Sequence, residues 1–231
     1  MNIFQKLTEK PWLADDKLAL EGNSGSVSSA QLNTSTPAKT ALYFFLSVVS
    51  VLFLLFTITF LSRSQAVDFQ ALAGEPWLPF SQPTSLWFNT GILLLASISL
   101  QLSVLFSRQK KTNHLLIMLV LATLFSATFL IGQYTVWQQL TLSGYALNEN
   151  PANSFFYLLT GIHGLHLLGG IFALVRVVWI FWSKNKTQSL TASLRLCTTY
   201  WHYLLVVWLF LFALLTATPE TYRTIALFCG F

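Results

Sequence analysis

NSFFYLLTGIHGLHLLGGIFALVRVVWIFW, residues 153–182, carries one charged side chain, Arg176, along its whole length. A helix rises about 1.5 Å per residue, so about 20 apolar residues match a hydrocarbon core of about 30 Å. Lipid cannot hydrogen-bond free backbone groups, so such a run crosses as a closed helix. Comparable runs lie around it at Thr40–Leu61, Ser85–Phe106, Leu115–Gln138 and Cys197–Thr216. The chain therefore reads as an all-α integral membrane protein, a bundle of five transmembrane helices. Of its 231 residues 54% are hydrophobic and 9% charged, against about 25% charged in soluble domains.

The basic residues fall in alternate connections. Lys6, Lys10, Lys17 and Lys39 precede the first run, and Arg108, Lys110 and Lys111 follow the second. Arg176, Lys184, Lys186 and Arg195 cluster about the fourth connection, leaving only Arg63 and Arg223 elsewhere. Basic loops stay cytoplasmic, which predicts an amino terminus inside and a carboxyl terminus outside. The net charge of +5 thus orients helices, and with no continuous basic stripe nucleic-acid binding is not expected. Trp77, Trp87, Trp137, Tyr145 and Tyr157 mark the outer boundary, and Tyr43, Trp179, Trp182, Tyr200 and Trp201 the inner one.

Residues 1–39 have no apolar core and read as a polar cytoplasmic tail, largely disordered beyond a short surface segment at Phe4–Leu20, with no signal peptide. The glycosylation sequons at Asn33 and Asn185 lie inside by this topology. Pro76, Pro79 and Pro83 make Ser62–Thr84 an outer loop. Asn148–Pro151 reads as a turn, with Asn153 or Ser154 capping the fourth helix. Residues 217–231 form a short outer tail. Gly161, Gly164, Gly169 and Gly170 predict a fourth helix at the middle of the bundle, because small residues let backbones approach in lipid.

No Asp or Glu lies in the central part of a predicted helix. Proton relays and ion-coupled transporters need such groups. His163, His166 and His202 are the ionisable candidates at depth, and His163 and His166 share a face. Measured from inner helix ends at Trp182 and Cys197, His166 lies roughly 24 Å deep and His202 about 8 Å. A gap of roughly 16 Å is too wide for ligands that sit about 2 Å from one metal. The expected role is therefore structural, as neutral imidazoles bonded to Thr, Ser or backbone carbonyls of neighbouring helices. Asn89, Gln101 and Gln133 are expected to donate interhelical hydrogen bonds. Cys197 and Cys229 fall on opposite sides and cannot pair.

Two elements go beyond membrane grammar: FFYLLTGIHGLHLLGG (Phe155–Gly170) and YWHYLLVVWLFLFALL (Tyr200–Leu215). They resemble the last two helices of subunit III of haem–copper terminal oxidases, the cytochrome c and quinol oxidase family. That family carries a T-G-x-H-G-x-H element followed by Y-W-H…V-V-W-L-F. Leu86–Ser97 resembles its helix entered through L-N-T, and Phe129–Gln133 resembles the next, with its glutamine. The resemblance covers residues 40–216 in order and matches the shorter, five-helix bacterial form.

It implies an accessory subunit without a redox centre, of the bacterial inner membrane more than the mitochondrial one. Such a subunit packs directly on catalytic subunit I beside other oxidase subunits, binds phospholipid, and helps sustain proton uptake and complex stability. Haem and copper belong to partner subunits, and cytochrome c or quinol acts only through the complex. The residues carrying the family motif, with packing and possible lipid contact as their roles, are Thr160, Gly161, His163, Gly164, His166, Gly170, Tyr200, Trp201, His202, Trp208, Asn89 and Gln133. Three family acids are missing, with Ser50, Val136 and Leu205 in their places, so this is a divergent member. Two competing readings are a haem-binding membrane anchor using His163, His166 and His202, and a small transporter. The second lacks repeats, broken helices and intramembrane charge.

Overall fold

The computed structural model describes residues 35–66, 68–72, 83–109, 111–184 and 187–229, with side chains at 35–36, 180–192 and 228–229 excepted. Residues 1–34 lie outside the described part, as do Trp77, Pro76, Pro79, Lys110, Lys186, Asn33 and Asn185. The described residues form six helices: α1 (Ser35–Arg63), α2 (Thr84–Arg108), α3 (Thr112–Leu142), α4 (Pro151–Lys184), α5 (Thr187–Leu215) and α6 (Pro219–Cys229). Five of them, α1 to α5, are long and apolar enough to span a bilayer.

Helix ends obey backbone chemistry more than hydropathy. α5 starts at Thr187, well before the expected Cys197, because no Gly or Pro interrupts Ser183–Leu196 and a polar helix is as well bonded as an apolar one. The cap of α4 is also corrected. Pro151 occupies its first turn, where its missing N–H costs nothing, and the Asn150 Oδ1 accepts from the Ala152 N–H. Asn153 and Ser154 instead donate to the Ala146 and Leu147 carbonyls, tying the turn down. α3 ends in a Schellman motif: Tyr145 N–H reaches Leu140 O and Gly144 N–H reaches Thr141 O. Gly144 takes φ 89° there, a conformation that favours glycine.

Lys39–Phe231 forms one compact unit. Within it α2 packs on α3, α3 on α4, α4 on α5, and α5 back on α2, closing a four-helix ring. The α2–α3 approach is the most extensive. A side chain at Gly132 would collide with the Asn89 amide oxygen, which lies against the bare backbone.

The expected central place of α4 is therefore corrected. Half of the apolar stretch is buried in α2 and in α5, but a third in α4. Gly169 faces open space, and a Cβ at Gly164 would meet only Leu130, at an ordinary contact distance of 3.8 Å. Gly170 is the tight one, pressed on Tyr200 and Trp201.

α1 joins differently, through long side chains. Phe45 and Phe53 lie against the His166 ring at centroid distances of 6.2 and 5.9 Å. The Ser50 and Tyr203 hydroxyls are 2.9 Å apart. At its far end Phe60 meets Phe69, Phe155 and Tyr222 edge-on at 5.5, 5.5 and 5.3 Å. Tyr222 of α6 is buried, its hydroxyl donating to Leu214 O. Asn150 secures the loop after α1, its carboxamide bonding both the N–H and the C=O of Gln70.

Candidate functional site

Each helix of the ring contributes one side chain to a layer at its centre: Thr90 from α2, Phe129 from α3, His163 from α4 and Trp208 from α5. The Trp208 Nε1–H donates to Thr90 Oγ1 at 2.9 Å. Its ring stands edge-on to Phe129 at 4.8 Å and lies 5.3 Å from the His163 imidazole, tilted 31°. Phe129 also meets the imidazole, at 6.1 Å and nearly perpendicular, so the three rings form one cluster. His163 is 0% exposed, and neither of its nitrogens has a partner among the described residues. The expected hydrogen bond to a neighbouring helix is thus not made. Each such unmade bond costs about 1–3 kcal/mol, which the aromatic packing has to offset.

The other two histidines point elsewhere. His166 bonds through Nδ1 to Ile162 O of its own helix at 2.8 Å, and its carbonyl accepts the Tyr200 hydroxyl at 2.9 Å. His202 faces α2, with Nδ1 2.6 Å from Ser97 Oγ and Nε2 3.3 Å from Gln101 Oε1. A carboxamide oxygen only accepts, so Nε2 carries the proton, and Nδ1 accepts from the Ser97 hydroxyl.

With α5 starting at Thr187, His202 lies about 22 Å from its helix end and His166 about 27 Å from Lys184. The expected 16 Å depth gap is thereby corrected to about 5 Å. What separates the three rings is facing: inward to Trp208, sideways to α1, and outward beside α2. Among the described residues no three of His, Cys, Asp and Glu come together. A donor set so dispersed does not bring the three histidines to one metal ion.

The remaining motif residues make packing contacts. Thr160 bonds Phe156 O and accepts the Trp137 indole N–H, and Trp137 also covers Gly161. Trp201 is buried against Gly170. Gln101 bonds across to α5, but as acceptor and not as the expected donor, whereas both amide atoms of buried Gln133, and Nδ2 of Asn89, have no protein partner among the described residues. Sequence reading missed the Gly132–Asn89 seat and the Ser50–Tyr203 pair. The first was within reach: the two residues are nearly equidistant from the Gln109–Lys111 turn, so an antiparallel hairpin brings them level.

Two hollows open on the surface. One of about 440 Å³ runs between α2 and α3, lined by Phe88, Asn89, Ile92, Ile131, Gly132 and Val136 among others. The second, of about 390 Å³, lies between the loop after α1 and α6, where Ser64, Phe69, Tyr222 and Arg223 face it.

A family model described as cytochrome c oxidase subunit III matches residues 21–217. The probable cytochrome c oxidase subunit 3 of Nocardia farcinica is 28% identical over 164 residues, covering 69% of this chain and 76% of the relative. The cytochrome c oxidase subunit 3 of Thermostichus vulcanus is 30% identical over 145 residues, 61% of this chain and 71% of its own. Cytochrome bo(3) ubiquinol oxidase subunit 3 of Buchnera aphidicola is 23% identical over 129 residues, 56% and 63% of the two chains.

Proposed function

Because this chain belongs to the cytochrome c oxidase subunit III family, we propose that it is a non-redox accessory subunit seated directly on the haem-bearing catalytic subunit of a terminal oxidase. Haem and copper then reside in partner chains, and cytochrome c or a quinol reaches only those partners. The observation that carries this reading is the central layer. His163 is fully buried with its ring against Phe129 and Trp208 and neither nitrogen bonded among the described residues, so the ring serves packing.

The alternating basic loops support a bacterial cytoplasmic membrane with the amino terminus inside and the carboxyl terminus outside. In this arrangement residues 1–39 are a polar cytoplasmic tail and residues 217–231 an outer segment. The motif residues on α4 and α5 set the bundle's packing. The apolar hollow beside Asn89 and Gly132 takes a phospholipid acyl chain. Ser50, Val136 and Leu205 supply no carboxylate, so support of proton uptake comes through stabilising the catalytic subunit and its lipids.

Purification of the tagged chain in mild detergent tests the reading. A haem-bearing chain is expected to accompany it, and Soret absorbance to leave with that partner on dissociation. Haem retained by the separated chain, and lost in His166→Ala, would overturn it in favour of a cytochrome anchor.

A further inference from the structure

The face shared by α2 and α5 holds polar groups where lipid offers them nothing. Gln101 lies about 8 Å from the middle of α2, and His202 about 3 Å from the middle of the Ser193–Leu215 span. Both are exposed. The His202 ring is fully engaged, accepting from Ser97 and donating to Gln101 Oε1. That bond uses one lone pair of the Gln101 carboxamide oxygen and leaves its NH₂ group, which has no acceptor among the described residues. Around it the surface is apolar. Ile98 and Leu105 flank Gln101 on α2, and Val206 and Leu209 follow His202 on α5, all exposed and spaced to share one side of each helix.

We propose that this α2–α5 face receives a transmembrane helix of the haem-bearing partner chain, which presents an acceptor oxygen to the Gln101 carboxamide. The proposal rests on the accessory-subunit reading and adds the surface through which it acts. An unpaired N–H₂ in hydrocarbon is costly. An acyl chain has no acceptor, and lipid ester oxygens lie at the interface, about 10 Å away along α2 toward Arg108. A second copy of this chain offers only the remaining lone pair of its own Gln101 Oε1, which meets the donor only if both glutamines fall on one two-fold axis. A helix of different sequence satisfies the group while its apolar side chains cover Ile98, Leu105, Val206 and Leu209.

The test places a photo-reactive residue at Ile98 or Leu105, and for comparison at Leu124, exposed on α3 across the ring from α5, in the complex assembled in its membrane. Adducts with the haem-bearing chain are expected from 98 and 105, and lipid adducts from 124. Gln101→Leu should lower the partner retained through detergent washing about threefold, the equivalent of one interhelical bond of about 0.6 kcal/mol. If the wild-type chain retains the haem-bearing partner but 98 and 105 capture lipid or a second copy, this docking face is wrong and the accessory reading stands. If no haem-bearing chain is retained by the wild type, both fall together. Partner adducts with retention unchanged in Gln101→Leu would overturn the hydrogen bond.

Discussion

α2 and α3 meet backbone to side chain, whereas α1 reaches the ring through longer side chains, phenylalanines foremost with Val49 and Leu61 beside them, and one hydroxyl pair. Both arrangements bury apolar surface, yet they use opposite residue types. Between α2 and α3 a missing side chain at Gly132 admits Asn89. Along α1 the bulk of Phe45, Phe53 and Phe60 spans the distance, while Tyr43, Phe44, Val48, Val51, Leu54 and Leu55 stay exposed. In lipid, where apolar contact between helices brings no hydrophobic gain, close approach depends on small residues. The hairpin should therefore be rigid and α1 the more easily detached element.

The largest effect should come from closing the seat. Gly132→Ala is expected to destabilise the bundle by about 1–3 kcal/mol, the usual cost of overpacking, measured by unfolding in mixed detergent micelles. Asn89→Ala in the same chain should recover most of the loss, and an unperturbed Gly132→Ala variant would refute the close approach. Gly170 offers a sharper comparison with its neighbour. An added Cβ would lie 3.0 Å from the Tyr200 ring and 3.2 Å from Trp201, and Tyr200 is anchored by its bond to His166 O. Gly170→Ala should cost about 1 kcal/mol or more, and Gly169→Ala, in open space, stay within about 0.5 kcal/mol of wild type.

On α1 the expected changes are smaller. Ser50→Ala and Tyr203→Phe should each lose about 0.6 kcal/mol, with a double-mutant cycle returning a coupling of the same order. The smallest effect concerns the ion pair at the end of α1, where the Arg63 guanidinium hydrogen-bonds Asp68 and holds its carboxyl below the usual carboxylate range. A depressed folded value makes the contribution fully present above the unfolded pKa of about 3.9 and lost as pH falls through the folded one. Arg63→Gln should flatten that acid-side dependence and leave stability near neutral pH almost unchanged, since an exposed pair contributes little.

The five spans were legible because apolar length is a property of the sequence alone. So was the family, through His163, His166 and His202 with their glycine and aromatic neighbours. Helix limits were less so. α5 continues through a polar stretch because backbone bonding does not end where hydropathy does, and that misplaced start produced the false depth gap between His166 and His202. The glycines of α4 misled for a related reason. A glycine permits close packing, but the facing residue decides whether it happens, and four glycines in α4 allow less approach than one in α3. That neither nitrogen of His163 finds a hydrogen-bond partner among the described residues could not be read from its neighbours in sequence, since Thr90, Phe129 and Trp208 come from three other helices.

Phe60, near the end of α1, is closed over by Tyr222, in the first turn of α6. During synthesis this contact of α1 therefore waits until α2 to α5 have all been made and α6 follows them. A chain cut short after α5 keeps its ring and still holds α1 through Phe45, Phe53 and Ser50, but it loses the aromatic latch that Tyr222 sets on Phe60.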